Sequence, residues 1–165
     1  MKRPKSIIIA ILIMIALMYA PMVTIVRSQT TYSSLYKVYW GTDQPVEVTP
    51  GDIATLTVIF RYEQGSTVNS IAANLFLPEG FSAIGGGNNV LIYRAGPVSP
   101  GSFFNLGFPI HIASTVALSS CVANLELQYY FSKSNIVIET MSVSFEVTGK
   151  PNIDVRVDSN IQEGY

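Results

Sequence analysis

The sequence predicts an all-β protein, an antiparallel β-sandwich preceded by one hydrophobic N-terminal helix, and three observations predict it. From Gln29 onward, apolar residues recur at every second position, the period of a strand with one dry and one wet face. Clusters of Gly, Pro, Asn and Asp interrupt these stretches at the spacing of short strands. The start of the chain is different: Ile7 to Ala20 is apolar on every side, which no helix lying on a soluble core would be.

That first segment opens with the basic Met1–Lys5 (MKRPK), and Arg27 is the next charge after it. Ile7 to Val26 is uncharged throughout and as a helix would span about 30 Å, one hydrocarbon core. Residues 1–28 therefore read as a secretory signal cleaved before Gln29, or as a retained anchor with Lys2, Arg3 and Lys5 inside the cell. Lys5-Ser6 before Ile7 also resembles the archaeal prepilin-type processing site, which would make the apolar helix a filament core. Each reading exports the rest of the chain.

The strands follow in order. Leu35–Trp40 and Val46–Thr49 are short candidates ahead of Thr49-Pro50-Gly51-Asp52. In Ile53–Tyr62, Leu56, Val58, Phe60 and Tyr62 share one face while Thr55, Thr57 and Arg61 share the other. Ile71, Ala73, Leu75 and Leu77 alternate with Ala72, Asn74 and Phe76 until Pro78-Glu79-Gly80. Phe81–Ile84 and Val90–Arg94 flank Gly85–Asn89. Leu106, Phe108, Ile110 and Ile112 form the next dry face, and Pro109, which has no N–H, puts that strand at an edge or in a bulge. Cys121 to Phe131 and Met141 to Thr148 complete the set. Seven to nine short strands over residues 29–149 make an immunoglobulin-like sandwich, with residues 150–165 left as an extended tail.

Thr49-Pro50-Gly51-Asp52 before Leu56-Thr57-Val58 resembles the opening of the β-sandwich repeats of archaeal S-layer-type surface proteins and of the related cell-adhesion modules of the CARDB and NEW3 kind. Leu75 to Phe81 is similar to their L-x-LP-x-G-aromatic segment, Val98-Ser99-Pro100-Gly101 to their second turn, and Gly149-Lys150-Pro151 to their exit toward a further repeat. The resemblance covers residues 45 to 157. It implies a sandwich fold, a place on the cell surface, and a tail that is the start of a truncated second repeat. No Asn-x-Ser/Thr sequon accompanies it.

Charge and residue inventory narrow the function. Four of the ten basic residues precede Ser28, so the body carries six bases against eleven acids. Such a body repels phosphate, and nucleic acid is not an expected partner. One Cys and one His allow neither a disulfide framework nor a Cys/His zinc site. His111 falls on an outer face with nothing to form a Ser-His-Asp set. Cys121 reads as a small buried hydrophobe, or as a thiol that pairs with another chain. Glu126, Glu139 and Glu146 sit at outward or strand-end positions, so the paired acids of a glycosidase are not indicated. Asp43, Glu47 and Asp52, even joined by Asp154 and Asp158, read as turn caps rather than a cation site. Gly85–Asn89 has no Lys and no following helix, so it is a hairpin loop and not a phosphate cradle. The expectation is a protein that is not an enzyme and holds no cofactor and no metal.

Two groups are left as contact candidates. Tyr36, Tyr39 and Trp40, with Tyr32, can touch a partner or a glycan, sit at a membrane interface, or pack the first strand. Ile153, Val155 and Val157 alternate with Asp154, Arg156 and Asp158, so the tail reads as a strand available to a neighbouring sheet. The function expected is a non-catalytic, exported cell-surface module. Its partners are other envelope proteins or copies of itself, with the membrane engaged through residues 7–26. The alternatives are a pilin-like filament subunit and a carbohydrate-binding accessory module.

Overall fold

The computed structural model describes residues 31–149. The helix expected in residues 1–28 and the tail with Ile153, Val155 and Val157 lie outside the described residues. Within them the chain forms eight strands: β1 (Ser33–Trp40), β2 (Ile53–Tyr62), β3 (Val68–Phe76), β4 (Phe81–Ala83), β5 (Asn89–Val98), β6 (Phe103–Ile112), β7 (Ser120–Ser132) and β8 (Asn135–Glu146). They make two four-stranded sheets, ordered β1-β2-β6-β4 and β5-β3-β7-β8, with every pairing antiparallel.

Period-two patterning places the core. Leu56, Val58, Phe60 and Tyr62 of β2 and Phe104, Leu106, Phe108, Ile110 and Ile112 of β6 are buried, and they come from one sheet. The other sheet contributes Ile71, Ala73 and Leu75 of β3 with Ala123, Leu125, Leu127 and Tyr129 of β7. Each large side chain so buried is worth about 1.5–3 kcal/mol, which is why the two central strands of each sheet carry the strictest alternation.

Two of the Pro/Gly segments, Pro78-Glu79-Gly80 and Pro100-Gly101, are corners where the chain changes sheet. Between β3 and β4, Phe81 N–H donates to Pro78 O (3.2 Å) and Ala113 N–H to Gly80 O (2.8 Å). Gly80 has φ +86°, and a Cβ there would lie 2.5 Å from Val116 Cγ2. Between β5 and β6, Gly101 N–H donates to Tyr62 O (2.9 Å) and Ser102 N–H to Ser99 O (3.1 Å).

Pro109 sits opposite Thr55 in β2 without a bulge. β6 has β4 as a second neighbour only at Ile110–Ile112, so at Pro109 it is locally an edge and the missing N–H interrupts no ladder.

Three expectations need correction. Val46–Thr49 is not a strand: Val46 N–H goes to Trp40 O and Val48 O accepts from Gly149 N–H, so the segment's bonds are spent on two separate partners rather than a ladder. The last strand begins at Asn135 rather than Met141 and ends at Glu146. Its first half is inverted: Ile136 and Ile138 face solvent at 45% and 59% exposure, while Glu139 takes an inward position. Cys121 lies on the inward face of β7 but only half buried, because the sheet ends there and the thiol borders an open hollow with Phe81, Val116 and Ser119.

Candidate functional site

Glu139 organises one end of the sandwich. Its carboxylate accepts from Tyr32 N–H (3.0 Å), Ser33 N–H (3.2 Å) and Tyr129 O–H (2.8 Å), joining β8 and β7 to the entry of β1 in the opposite sheet. Tyr129 O–H also lies 2.7 Å from Ser33 Oγ, and its ring stacks on Tyr32 at 5.4 Å. Burial pushes the Tyr129 hydroxyl well above the ordinary phenol range, with the Glu139 charge adding to the shift and the Ser33 bond opposing it. Burial and nearby Tyr32 raise Tyr62 as well. This carboxylate has backbone and phenol partners and no second acid, so the arrangement is a fastening between sheets. The sequence alone placed Glu139 at an outward or strand-end position, since nothing in local spacing shows the backbone donors of Tyr32 and Ser33.

Trp40 is likewise structural. It is 5% exposed, its Nε1–H donates to Glu146 O (2.7 Å), and its ring meets Phe145 edge-on at 5.4 Å. It offers no face to a partner or a sugar, which corrects its place among the contact candidates. Tyr39 is half buried, with Lys37 Nζ 5.3 Å from its ring centroid and its hydroxyl donating to Thr42 O.

Tyr36 is the exposed member of the group, at 66%. A bulge places it there: Leu35 pairs with Phe60 and Lys37 with Ile59, leaving Tyr36 without a partner in β2. Its ring meets that of Phe103, itself 53% exposed, with centroids 4.8 Å apart at 63°. These two residues flank β2 on either side and lean together across its outer surface. Arg61 lies in register between Ser34 and Phe103. Phe103 was invisible as a site residue, since its aromatic partner is 67 positions away by number and next to it only through the sheet.

A second surface is the outer edge of β8. Val147 N–H donates to Ser119 O, and alternation from that bond turns the odd-numbered backbone groups of β8 toward β7. The N–H and C=O groups of Ile136, Ile138, Thr140, Ser142 and Ser144 therefore point away from the sheet. Among the described residues no strand pairs with them. The twelve residues of β8 include no Pro, Lys or Arg. The other three edges are guarded: β1 is bulged, β4 has three residues, and β5 carries Gly96-Pro97.

The remaining candidates are accounted for locally. His111 lies on the outer face of β6 with Nδ1 3.5 Å from Ser82 Oγ. Asp52 Oδ2 accepts from Thr49 N–H (2.9 Å) and fixes the turn before β2. Among the described residues no three His, Cys, Asp or Glu side chains gather into a cation cage. Gly85, Gly86 and Gly87 all have positive φ in a loop closed by Gly86 N–H to Ala83 O.

No family model matches the chain, and no curated protein matches it. Solved structures do. A Corynebacterium diphtheriae protein held to be membrane anchored aligns at TM-score 0.46 and 12% identity, over 72% of this chain and 35% of that one. The chain thus spans about a third of that protein. The C-terminal domain of wzt aligns at TM-score 0.41 and 10% identity, covering 73% of this chain and 76% of that one. AvmM, which catalyses macrocyclisation in alchivemycin A biosynthesis, aligns at 0.40 and 10%, covering 71% and 90%. Likeness this loose spans an enzyme and an anchored protein alike and assigns no activity.

Proposed function

We propose that this protein is a non-catalytic module of the cell envelope, exported by its N-terminal segment, that contacts other envelope proteins or copies of itself. On this reading the sandwich is immunoglobulin-like: β1, β2 and β6 correspond to strands A, B and E, and β3, β7 and β8 to C, F and G. It remains similar in its corner motifs to archaeal S-layer-type modules. The observation that carries the function is the long bare edge of β8. A twelve-residue exposed strand with no Pro, Lys or Arg, whose outward backbone groups at Ile136, Ile138, Thr140, Ser142 and Ser144 meet no neighbour among the described residues, is a template for another strand. The sequence tail, in which Ile153, Val155 and Val157 alternate with charged residues, is one segment whose pattern suits addition to it from a neighbouring copy.

The test uses the full chain expressed in membranes and released in mild detergent. Wild type is expected to run as an assembly, and Ile138→Lys with Thr140→Pro as a single chain with an unchanged β-type circular dichroism spectrum. A wild-type protein that runs as a single chain and co-purifies with nothing overturns the reading. Sequencing the mature N-terminus separates its forms: Gln29 marks a secreted module, Met1 an anchored one, and Ile7 a filament subunit.

A further inference from the structure

The outer face of β1, β2 and β6 lies on the opposite sheet from the β8 edge and has a different chemistry. Its outward strand positions carry Lys37 and Arg61, both exposed, and no carboxylate. Among the described residues there are eight Asp and Glu but only four Lys and Arg, so half of the positive charge is on this one surface. Glu63, just beyond β2, is bonded by Ser34 Oγ at 2.6 Å. The same surface holds the Tyr36–Phe103 pair and the Lys37–Tyr39 contact, with half-buried Ile59 beneath. Two exposed aromatic rings bridging a strand present apolar surface of 66% and 53% exposure to water, which a solitary domain gains nothing by keeping.

We propose that this face binds an acidic polysaccharide. Sugar C–H faces are apolar and fit flat against Tyr36 and Phe103, while uronate carboxylates pair with Arg61 and Lys37. A sheet surface without walls suits an extended polymer better than a small molecule, which needs enclosure. Charge density selects among polymers. Duplex nucleic acid carries a charge about every 1.7 Å and demands many cations. A uronate chain carries at most one per sugar, which two cations can match on an otherwise acidic body.

Affinity electrophoresis of the full-length protein in gels containing polygalacturonate or neutral dextran tests this. Wild type should be retarded by polygalacturonate and not by dextran. Tyr36→Ala and Phe103→Ala should each weaken the apparent affinity by about tenfold. Arg61→Gln should do likewise and flatten the loss of binding with added salt. Tyr93→Ala, an exposed ring on the other sheet, should change nothing. Absence of retardation by polygalacturonate overturns the proposal. So does equal retardation by dextran, or loss on Arg61→Gln with none on Tyr36→Ala, which would be unspecific attraction of a polyanion. None of these variants touches β8, so assembly through that edge stands or falls separately.

Discussion

Replacing Glu139 with Ala removes the acceptor of three hydrogen bonds, two that tie the entry of β1 to the opposite sheet and one from Tyr129 within its own. Stranding a buried donor costs about 1–3 kcal/mol. The three losses are unequal. Ser33 is 1% exposed, so its N–H has no water to turn to. Tyr129 is fully buried but keeps Ser33 Oγ, and the half-exposed Tyr32 can be solvated. One full loss and two partial ones come to about 2–3 kcal/mol, since bonds sharing one carboxylate do not add. For a domain of this size that lowers Tm by roughly 8–12 °C. Differential scanning calorimetry reads it directly. The control is Glu126→Ala, whose carboxylate is bonded by Gln128 on the outer face of the same strand; it should cost no more than about 0.5 kcal/mol. Equal, small losses from both variants would refute the argument that Glu139 fastens the sheets. Adding Tyr129→Phe sharpens the result: the double variant should lose clearly less than the sum of the two singles.

Two further outcomes follow from the same structure. The Tyr129 and Tyr62 hydroxyls are held above their ordinary value of 10.0, chiefly by burial. A raised folded-state value means stability is intact below the unfolded value and is lost as pH rises past it. Resistance to chemical denaturation should therefore be insensitive to these groups at neutral pH and weaken above about pH 10. Tyr129→Phe should blunt that alkaline loss, as followed by the denaturant midpoint. Gly80→Ala meets both positive φ and Val116, whereas Gly85→Ala meets positive φ with open space around it. The first should lose about 1–2 kcal/mol more than the second, the cost of moving a packed side chain; equal losses would show that Val116 yields freely.

What could be read from the residues was whatever burial alone decides. In β2, β3, β6 and β7 the dry face is almost wholly apolar while the wet face mixes polar residues with single apolar ones such as Ile53 and Phe103, so period two gives both the strand and its orientation. The pattern fails where another force sets the orientation. Ile136, Val137, Ile138 and Glu139 spell a strand with its oily side outward, because a carboxylate that finds two backbone donors and a phenol is worth more inside than an isoleucine. Val46–Thr49 has strand-forming residues but no flanking partner, and a β-ladder is a property of two segments. For Trp40 the residues left contact and packing of the first strand both open, and what decides is one bond to Glu146 O, which satisfies its single polar atom and lets the rest be buried. The Tyr36–Phe103 pair depends on a bulge and a strand between, neither of which has a signature in local spacing.

The position of the Glu139 grip has a mechanical consequence. It holds Tyr32 and Ser33 at the entry of β1, so tension arriving along the backbone from the direction of residue 30 meets it together with the Glu63 N–H to Tyr32 O bond, ahead of the rest of the β1–β2 ladder. Behind it the skipped rung at Tyr36 divides the strand into two short runs, the second moored by the Trp40 indole. A tether attached on that side would thus be resisted in stages, and a few sacrificial bonds could yield and re-form while the hydrophobic interior stayed closed.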